Sequence, residues 1–384
     1  MSEPTVLIAG FSGRVLAASA RRAGYRPLVV DAFGDDDTRE IAQGNVRVLP
    51  QSFQRGFGFG SLQAALDELS GKAARAPIGL VLGAGFEDAP ALVARLADRY
   101  TLLGCSPETI TATKSPDRFF PLLEDLGISH PDTRMVPPAD GRGWLTKRIG
   151  GSGGLHIARC RARVSKQRDR YFQREVEGVA VSMLGIIGKS AAFAFTQSWL
   201  APKPRRPFRF GGIVGNMDID ADLEARLIEI GLDLARALQL EGLVSFDFLV
   251  GDEGPLLLEV NPRPGVSLDV LDDSQGTLFA SHIAAVTGGD PAAILARNWA
   301  PCPRAAAYVY ADDQGLSVPQ VAWPDWIADR PSAGIRIGPH LPVCTVSAEG
   351  KTAKLAVALL DERLGIAKAM LYGREKKSGK EAPK

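Results

Sequence analysis

Cysteine and histidine are both scarce in this chain of 384 residues, at four each. Cys105, Cys160, Cys302 and Cys344 stand far apart, with no Cys-x-x-Cys pair. That argues against a disulfide framework and against a cysteine-rich zinc site. With histidine only at His130, His156, His282 and His340, no Ser-His-Asp or Cys-His set stands out. No apolar run approaches the ~20 residues needed to span a bilayer. A net charge of +1 leaves no basic field for nucleic acid or a membrane surface. The opening Met1-Ser-Glu-Pro-Thr5 lacks the charged-then-apolar pattern of a secretory leader, so a cytoplasmic location is expected. What is present, 45% hydrophobic and 23% charged residues, is ordinary for a globular chain with room for two or three domains.

Strand and helix alternate through the first hundred residues. Thr5–Ala9, Pro27–Asp31, Val46–Leu49, Ile78–Leu82 and Thr101–Leu103 read as strands; Arg14–Ala23, Leu62–Leu69 and Ala89–Asp98 read as helices. Such a rhythm predicts a doubly wound parallel sheet. Its first turn, Gly10-Phe-Ser12-Gly13, has two readings. Followed by Asp31, it suits a dinucleotide; without a third glycine, it suits a tight turn at the edge of a substrate cleft. Ser115-Pro116 opens the next helix, which Gly127 ends. From Trp144 to Ala201 the pattern turns β-rich, and Leu223–Leu240 is amphipathic with apolar residues at Leu227, Ile230, Leu234 and Leu238. The segment from Cys302 to Val346 reads as short strands, followed by a helix over Ala353–Leu364 and a charged tail from Gly373 that predicts disorder.

The chemistry concentrates in two strands, Ser245-Phe-Asp247-Phe-Leu-Val250 and Leu256-Leu-Leu-Glu259-Val-Asn261-Pro-Arg263, joined through Gly251-Asp-Glu-Gly254. They predict a hairpin with Val244, Phe246 and Phe248 on the face of Leu256, Leu258 and Val260. The other face then carries Ser245, Asp247, Glu259 and Asn261. Two carboxylates and an amide oxygen suit Mg²⁺ beside nucleotide phosphates; the alternative is an acidic face turned to water. Arg263 would aim a phosphate-binding fork at the same place. Trp144-Leu-Thr-Lys147-Arg-Ile-Gly150-Gly-Ser-Gly-Gly154 is a strand with a lysine running into a glycine-rich loop. That suits phosphate oxygens or a plain flexible turn, and is not a Walker-type loop. Pro202-Lys203-Pro-Arg205-Arg206-Pro-Phe-Arg209 is a dense basic cluster, read either as a site for an acidic co-substrate or as a solvated loop.

In this order the pieces resemble the ATP-grasp superfamily over about residues 1–300, with Glu259-Val-Asn261-Pro-Arg263 the most specific part. The resemblance implies an N-terminal doubly wound parallel-sheet lobe (1–105) and a two-lobed ATP-grasp core of α+β character (106–300). A small β-rich C-terminal lobe (301–372) and a tail (373–384) would follow. It implies ATP and Mg²⁺, with Lys114 and Lys147 on the phosphates and Gly151, Ser152, Gly153 and Gly154 as the mobile loop. Gln173 and Val176 would meet the adenine edge. Asp247, Glu259 and Asn261 would hold magnesium. Arg263 and Lys147 would offset charge on the transferring phosphoryl group. The acid would lie near Gly10, Ser12 and Gly13 and near Arg205, Arg206 and Arg209.

Two positions depart from the family pattern. Ala180 stands where many members carry a ribose-binding glutamate, which leaves Glu177 or Glu175 for that role; Ser245 stands where D-alanine–D-alanine ligases carry arginine. Asp329-Arg-Pro331 and Pro342-Val-Cys344-Thr-Val-Ser-Ala-Glu-Gly350 resemble the C-terminal lobe of carboxylase-like and one-carbon-coenzyme-linked members, the tyramine–glutamate ligase type among them. The implied activity is an ADP-forming carboxylate–amine ligase with small-molecule substrates, in a family whose members are often homodimers. The alternatives are an ATP-dependent carboxylase using bicarbonate and a nucleotide-binding protein without catalysis.

Overall fold

The computed structural model describes residues 3–50, 56–151, 153–166, 168–299 and 301–373. Strands β1 (Thr5–Gly10), β2 (Arg26–Asp31), β3 (Val46–Val48) and β4 (Leu80–Leu82) form a parallel sheet in the order β3-β2-β1-β4. Every residue of β1 is buried. Val6 and Ile8 pack with helix Arg14–Arg22 on one side, while Leu7 and Ala9 pack with Leu62 and Leu66 of helix Phe59–Gly71 on the other. Strands covered on both faces are the reason these segments are continuously apolar rather than alternating. A short helix over Asp36–Ile41, which no apolar period announced, also lies in this lobe.

Two helices, Pro107–Lys114 and Pro116–Asp125, lead into a second sheet made of β5 (Thr133–Arg134), β6 (Trp144–Arg148), β7 (Ala158–Arg159) and β8 (Arg170–Arg174). Ser106 caps the first of these helices by accepting from the Thr109 amide, which fixes where Lys114 falls, at its last residue. The largest sheet follows: β9 (Val179–Ile187), β10 (Ala191–Leu200), β11 (Phe210–Gly215), β12 (Gly242–Gly251) and β13 (Gly254–Asn261). The helix Ala221–Leu238, capped by Asp220, buries Leu227 and Leu234 against it.

The C-terminal strands divide between two sheets. β14 (Arg304–Tyr310), β15 (Leu316–Ser317), β16 (Ile327–Ala328), β17 (Arg336–Ile337) and β18 (Pro342–Glu349) complete the set. β15 and β17 pair with each other, and β14, β18 and β16 extend the central sheet to β13-β12-β9-β10-β11-β14-β18-β16. Helix Ala353–Tyr372 packs on this extension through Ala356, Leu360, Ala367 and Leu371. It outruns the expected end at Leu364 because Gly365 sits mid-helix without breaking it, and Gly373, at φ +63°, supplies the left-handed cap. The expected tail beyond Gly373 lies outside the described residues. Among the described residues no helix is long and apolar enough to cross a membrane.

The N-terminal lobe meets the C-terminal strands in a seam of charge. Arg14, 8% exposed, donates to Asp269 and Asp329, with contacts from 2.5 to 3.0 Å. Asp37 accepts the backbone amides of Asp329 and Arg330. Burial, with the crowding of Asp329, Asp31 and Asp37 added to it, pushes the Asp35 carboxyl up to about 8.

Candidate active site

The acidic hairpin forms, and a β-bulge decides what it displays. The turn is two residues, Asp252 and Glu253, with Gly251 paired to Gly254 and Phe248 to Leu257. Carried on without interruption, that register would set Asp247 opposite Leu258 and turn Glu259 to the core. The register shifts between Phe248 and Asp247, so Asp247 faces Glu259 and Ser245 faces Asn261. The same shift corrects the expected core face. Leu257 and Val260 are buried beneath Val244, Phe246 and Phe248, whereas Leu256 and Leu258 are only half-buried. One extra residue therefore brings the two carboxylates together, as bulges at binding sites do.

The carboxylates do not titrate alike. Asp247 accepts from Ser182 Oγ at 2.5 Å and from Asn261 Nδ2 at 2.9 Å. Burial and the Glu259 charge push its carboxyl up to about 6. Burial raises Glu259 too, but Lys114, Lys147 and His156 outweigh it and hold that carboxyl down at about 2. Lys114 Nζ lies 3.3 Å from Glu259 and 2.7 Å from Asn261 Oδ1, so the end of the helix Pro107–Lys114 closes one side of the group. Lys147, from β6, closes the other. It is 7% exposed and donates to Gln173 Oε1 at 2.5 Å; burial lowers its pKa, against the pull of Glu259 and Asp247. Among the described residues no cluster of three or more His, Cys, Asp or Glu is placed to hold a metal by itself. Two carboxylates and an amide oxygen nevertheless fit Mg²⁺, which takes few protein ligands and completes its shell with water and phosphate.

Gln173 is 1% exposed; its amide oxygen accepts from Lys147 and its nitrogen donates to Thr133 Oγ1 at 3.1 Å. Without nucleotide, its oxygen holds the lysine. Val176 and Glu177 lie in the link between β8 and β9, the first half-buried and the second exposed, while Glu175 pairs with Arg159. Gly151, Gly153 and Gly154 follow β6 as expected, and Ser152 lies outside the described residues. Gly154 needs to be glycine: its φ is +72°, and a Cβ there would sit 2.1 Å from the Phe208 carbonyl. Lys114, Arg148, Gly151, Tyr171, Leu258 and Glu259 line a solvent-open cleft of about 340 Å³.

Arg263 leaves the end of β13 and donates through Nε to Glu87 at 2.6 Å. Glu87 was missed by sequence reasoning: it follows β4 in the N-terminal lobe, 176 positions away, and no local pattern marks it. A second, small cleft open to solvent lies between Phe86, Glu87 and Arg263. The expected substrate residues are spread between this edge and the interlobe seam. Gly10 ends β1 within 3.4 Å of Gly83, measured from its would-be Cβ. Ser12 donates to Asp329, and the Gly13 amide donates to Asp31. Asp31 also accepts the amides of Phe33 and Gly34, so its carboxylate is spent on the turn and not open to a ribose. Arg205 is exposed, while Arg206 donates to the His340 carbonyl and Arg209, 6% exposed, donates to the Ala201 carbonyl over the Tyr310 ring.

Residues 118–267, spanning the glycine loop and the acidic hairpin, match the ATP-grasp domain family. That segment is an ATP-grasp domain. An uncharacterized protein of Methanocaldococcus jannaschii is 22% identical over 170 residues, and the match covers 42% of this chain and 43% of that relative. The chain thus accounts for less than half the length of that relative. Among solved structures, the biotin carboxylase domain of Hydrogenobacter thermophilus 2-oxoglutarate carboxylase, in complex with MgADP, ADP and bicarbonate, superposes with a TM-score of 0.71. It is 11% identical, over 94% of this chain and 89% of that one. The N5-carboxyaminoimidazole ribonucleotide synthetase of Thermotoga maritima gives 0.64 at 14% identity, over 96% and 98%. At these identities the likeness establishes the fold: the N-terminal lobe, the ATP-grasp domain and the C-terminal strands share one architecture with both.

Proposed function

We propose that the protein is an ATP- and magnesium-dependent ligase that joins a carboxylate to an amine and releases ADP and phosphate. The observation that carries this reading is the bulged hairpin, which sets Asp247 against Glu259 with Lys114, Lys147 and Arg263 around them. Asp247, Glu259 and Asn261 would hold magnesium, whose part is to neutralise charge on the phosphate oxygens. Lys114 and Lys147 would release their present partners and take the α- and β-phosphates. Gly151–Gly154 would cover the nucleotide, with Val176 and Glu177 at its base and ribose.

An oxygen of the substrate carboxylate attacks the γ-phosphorus; the bond to the β-bridging oxygen breaks and ADP leaves. Arg263 offsets the charge that spreads over the phosphoryl oxygens. The amine then attacks the acyl carbon, expelling phosphate. For an acid with a second anionic group, Arg209 offers one guanidinium nitrogen, buried without a hydrogen-bond partner, beside Arg205 and Arg206. A homodimer and a cytoplasmic location complete the reading, the former supported by the Hydrogenobacter domain having been solved as a dimer.

A carboxylase that activates bicarbonate is the second reading, favoured by the bicarbonate in that same complex. The test is a nucleotide-product assay with Mg-ATP, a pool of amino and dicarboxylic acids, and amines. Amine-dependent ADP supports the ligase; bicarbonate-dependent ADP without amine supports the carboxylase; AMP excludes both.

A further inference from the structure

The loop after β4 touches the ATP-grasp domain at two adjacent residues, and neither contact is visible in the hairpin or the glycine loop alone. The Glu87 side chain is 4% exposed. One carboxylate oxygen accepts the amides of Gly85 at 2.7 Å and Phe86 at 2.9 Å, and the other accepts Arg263 Nε. The backbone that aims it is itself fixed. Gly85, at φ +113°, lies against the Phe11 ring, and Phe86 stacks on Phe57 at 5.3 Å between centroids. Held at both oxygens, the carboxylate cannot swing, and the guanidinium that it grips is oriented with it. The next residue, Asp88, pairs with Arg148 at 3.6 Å. Its Cα also lies 2.6 Å from where a Cβ on Gly150 would be, so the start of the glycine loop rests on the Asp88 backbone.

We propose that Glu87 and Asp88 act as one clamp, by which the N-terminal lobe positions both Arg263 and the glycine loop. Glu87 sets the arginine that meets the transferring phosphoryl group; Asp88 sets the loop that covers the nucleotide. The lobe whose β4 end lines the second cleft thereby controls two parts of a site in another domain. Its kinetic consequence rests on the ligase reading above; the clamp itself does not.

Neighbouring isosteric variants separate the two roles. In Glu87→Gln the amide cannot accept from both the backbone and Arg263. Turnover should fall by about tenfold or more with KM for ATP within about twofold, since an ångström of misplacement costs on the order of 10²-fold. In Asp88→Asn the KM for ATP should rise several-fold with kcat retained. Glu87→Asp keeps the charge but is one methylene too short, and should fall between wild type and Glu87→Gln. Hydrogen–deuterium exchange on the full-length protein without nucleotide is the second readout. Glu87→Gln should speed exchange at the Arg263 and Gly265 amides, and Asp88→Asn at 148–151. Unchanged exchange in both variants, or the same kinetic parameter moving in both, overturns the clamp. A wild type that makes no ADP with any acid sinks the ligase reading, while the exchange data still decide the clamp.

Discussion

Replacing Gln173 with leucine separates two roles for one buried amide. Its oxygen accepts from Lys147 at 2.5 Å and its nitrogen donates to Thr133 at 3.1 Å, with 1% of the residue exposed. Leucine fills much the same space but leaves a buried ammonium without its acceptor. Losing a hydrogen bond to a buried charge costs roughly 1.5–3 kcal/mol, and the neutral bond to Thr133 about 1 more. Added apolar burial returns about 1 kcal/mol, for a net loss of about 1.5–3. Urea unfolding of the nucleotide-free protein at pH 7 measures this directly. The sign of its pH dependence also follows. Burial already lowers the Lys147 pKa in the folded state, and losing the acceptor lowers it further. The unfolded chain then binds more protons, so the deficit should shrink as pH rises toward the ordinary lysine range. Under this account ATP is still preferred over GTP in the variant, with weaker binding of both. Unchanged stability together with lost discrimination between ATP and GTP would refute the reasoning and return Gln173 to the adenine edge.

Other outcomes follow from the same geometry. Asp35→Asn removes a carboxyl held up at about 8, far above its unfolded value. The variant should gain stability over wild type as pH climbs from about 5 toward 8, at up to about 1.4 kcal/mol per pH unit, and a flat difference would exclude a carboxyl held up by burial and crowding. Arg14→Leu strands Asp269 and Asp329 in the interlobe seam, and should cost about 3–5 kcal/mol in chemical unfolding; a loss under about 1 would show the seam to be solvated. Gly154→Ala, blocked by the Phe208 carbonyl, should raise KM for ATP strongly, whereas Gly153→Ala, with nothing within 4 Å and φ +71°, should carry only about 1 kcal/mol of backbone strain. Equal effects of the two would mean that the loop does not rest on Phe208.

The elements that the sequence announced were those whose cause is local. The β1 and β2 runs are apolar because both faces are covered, and the period of the helix Ala221–Leu238 is set by its own buried stripe; the Ser106, Asp220 and Gly373 caps went unread. The hairpin was legible in its glycines and alternation, and so were Lys114 and Lys147, by their place in an ordered set of motifs. The bulge was not, because an extra residue in a strand leaves no mark in a period of two. Gln173 was placed on the right strand, but its partner Lys147 was not read, since that contact is fixed by the pairing of β6 with β8. Glu87 and the Arg14 seam are long-range ion pairs, which no window of sequence contains. That β14, β18 and β16 join the central sheet was not legible either, because strand composition does not say which sheet a strand will join.

The most direct test of the account is a crystal structure of the protein with ADP and Mn²⁺, the metal located by its anomalous signal. The account predicts a peak between the Asp247 and Glu259 carboxylates, with the diphosphate beside Lys114 and Lys147 under the glycine loop. A metal elsewhere, or nucleotide seated at Gly10–Gly13 with the hairpin carboxylates bare, would contradict it.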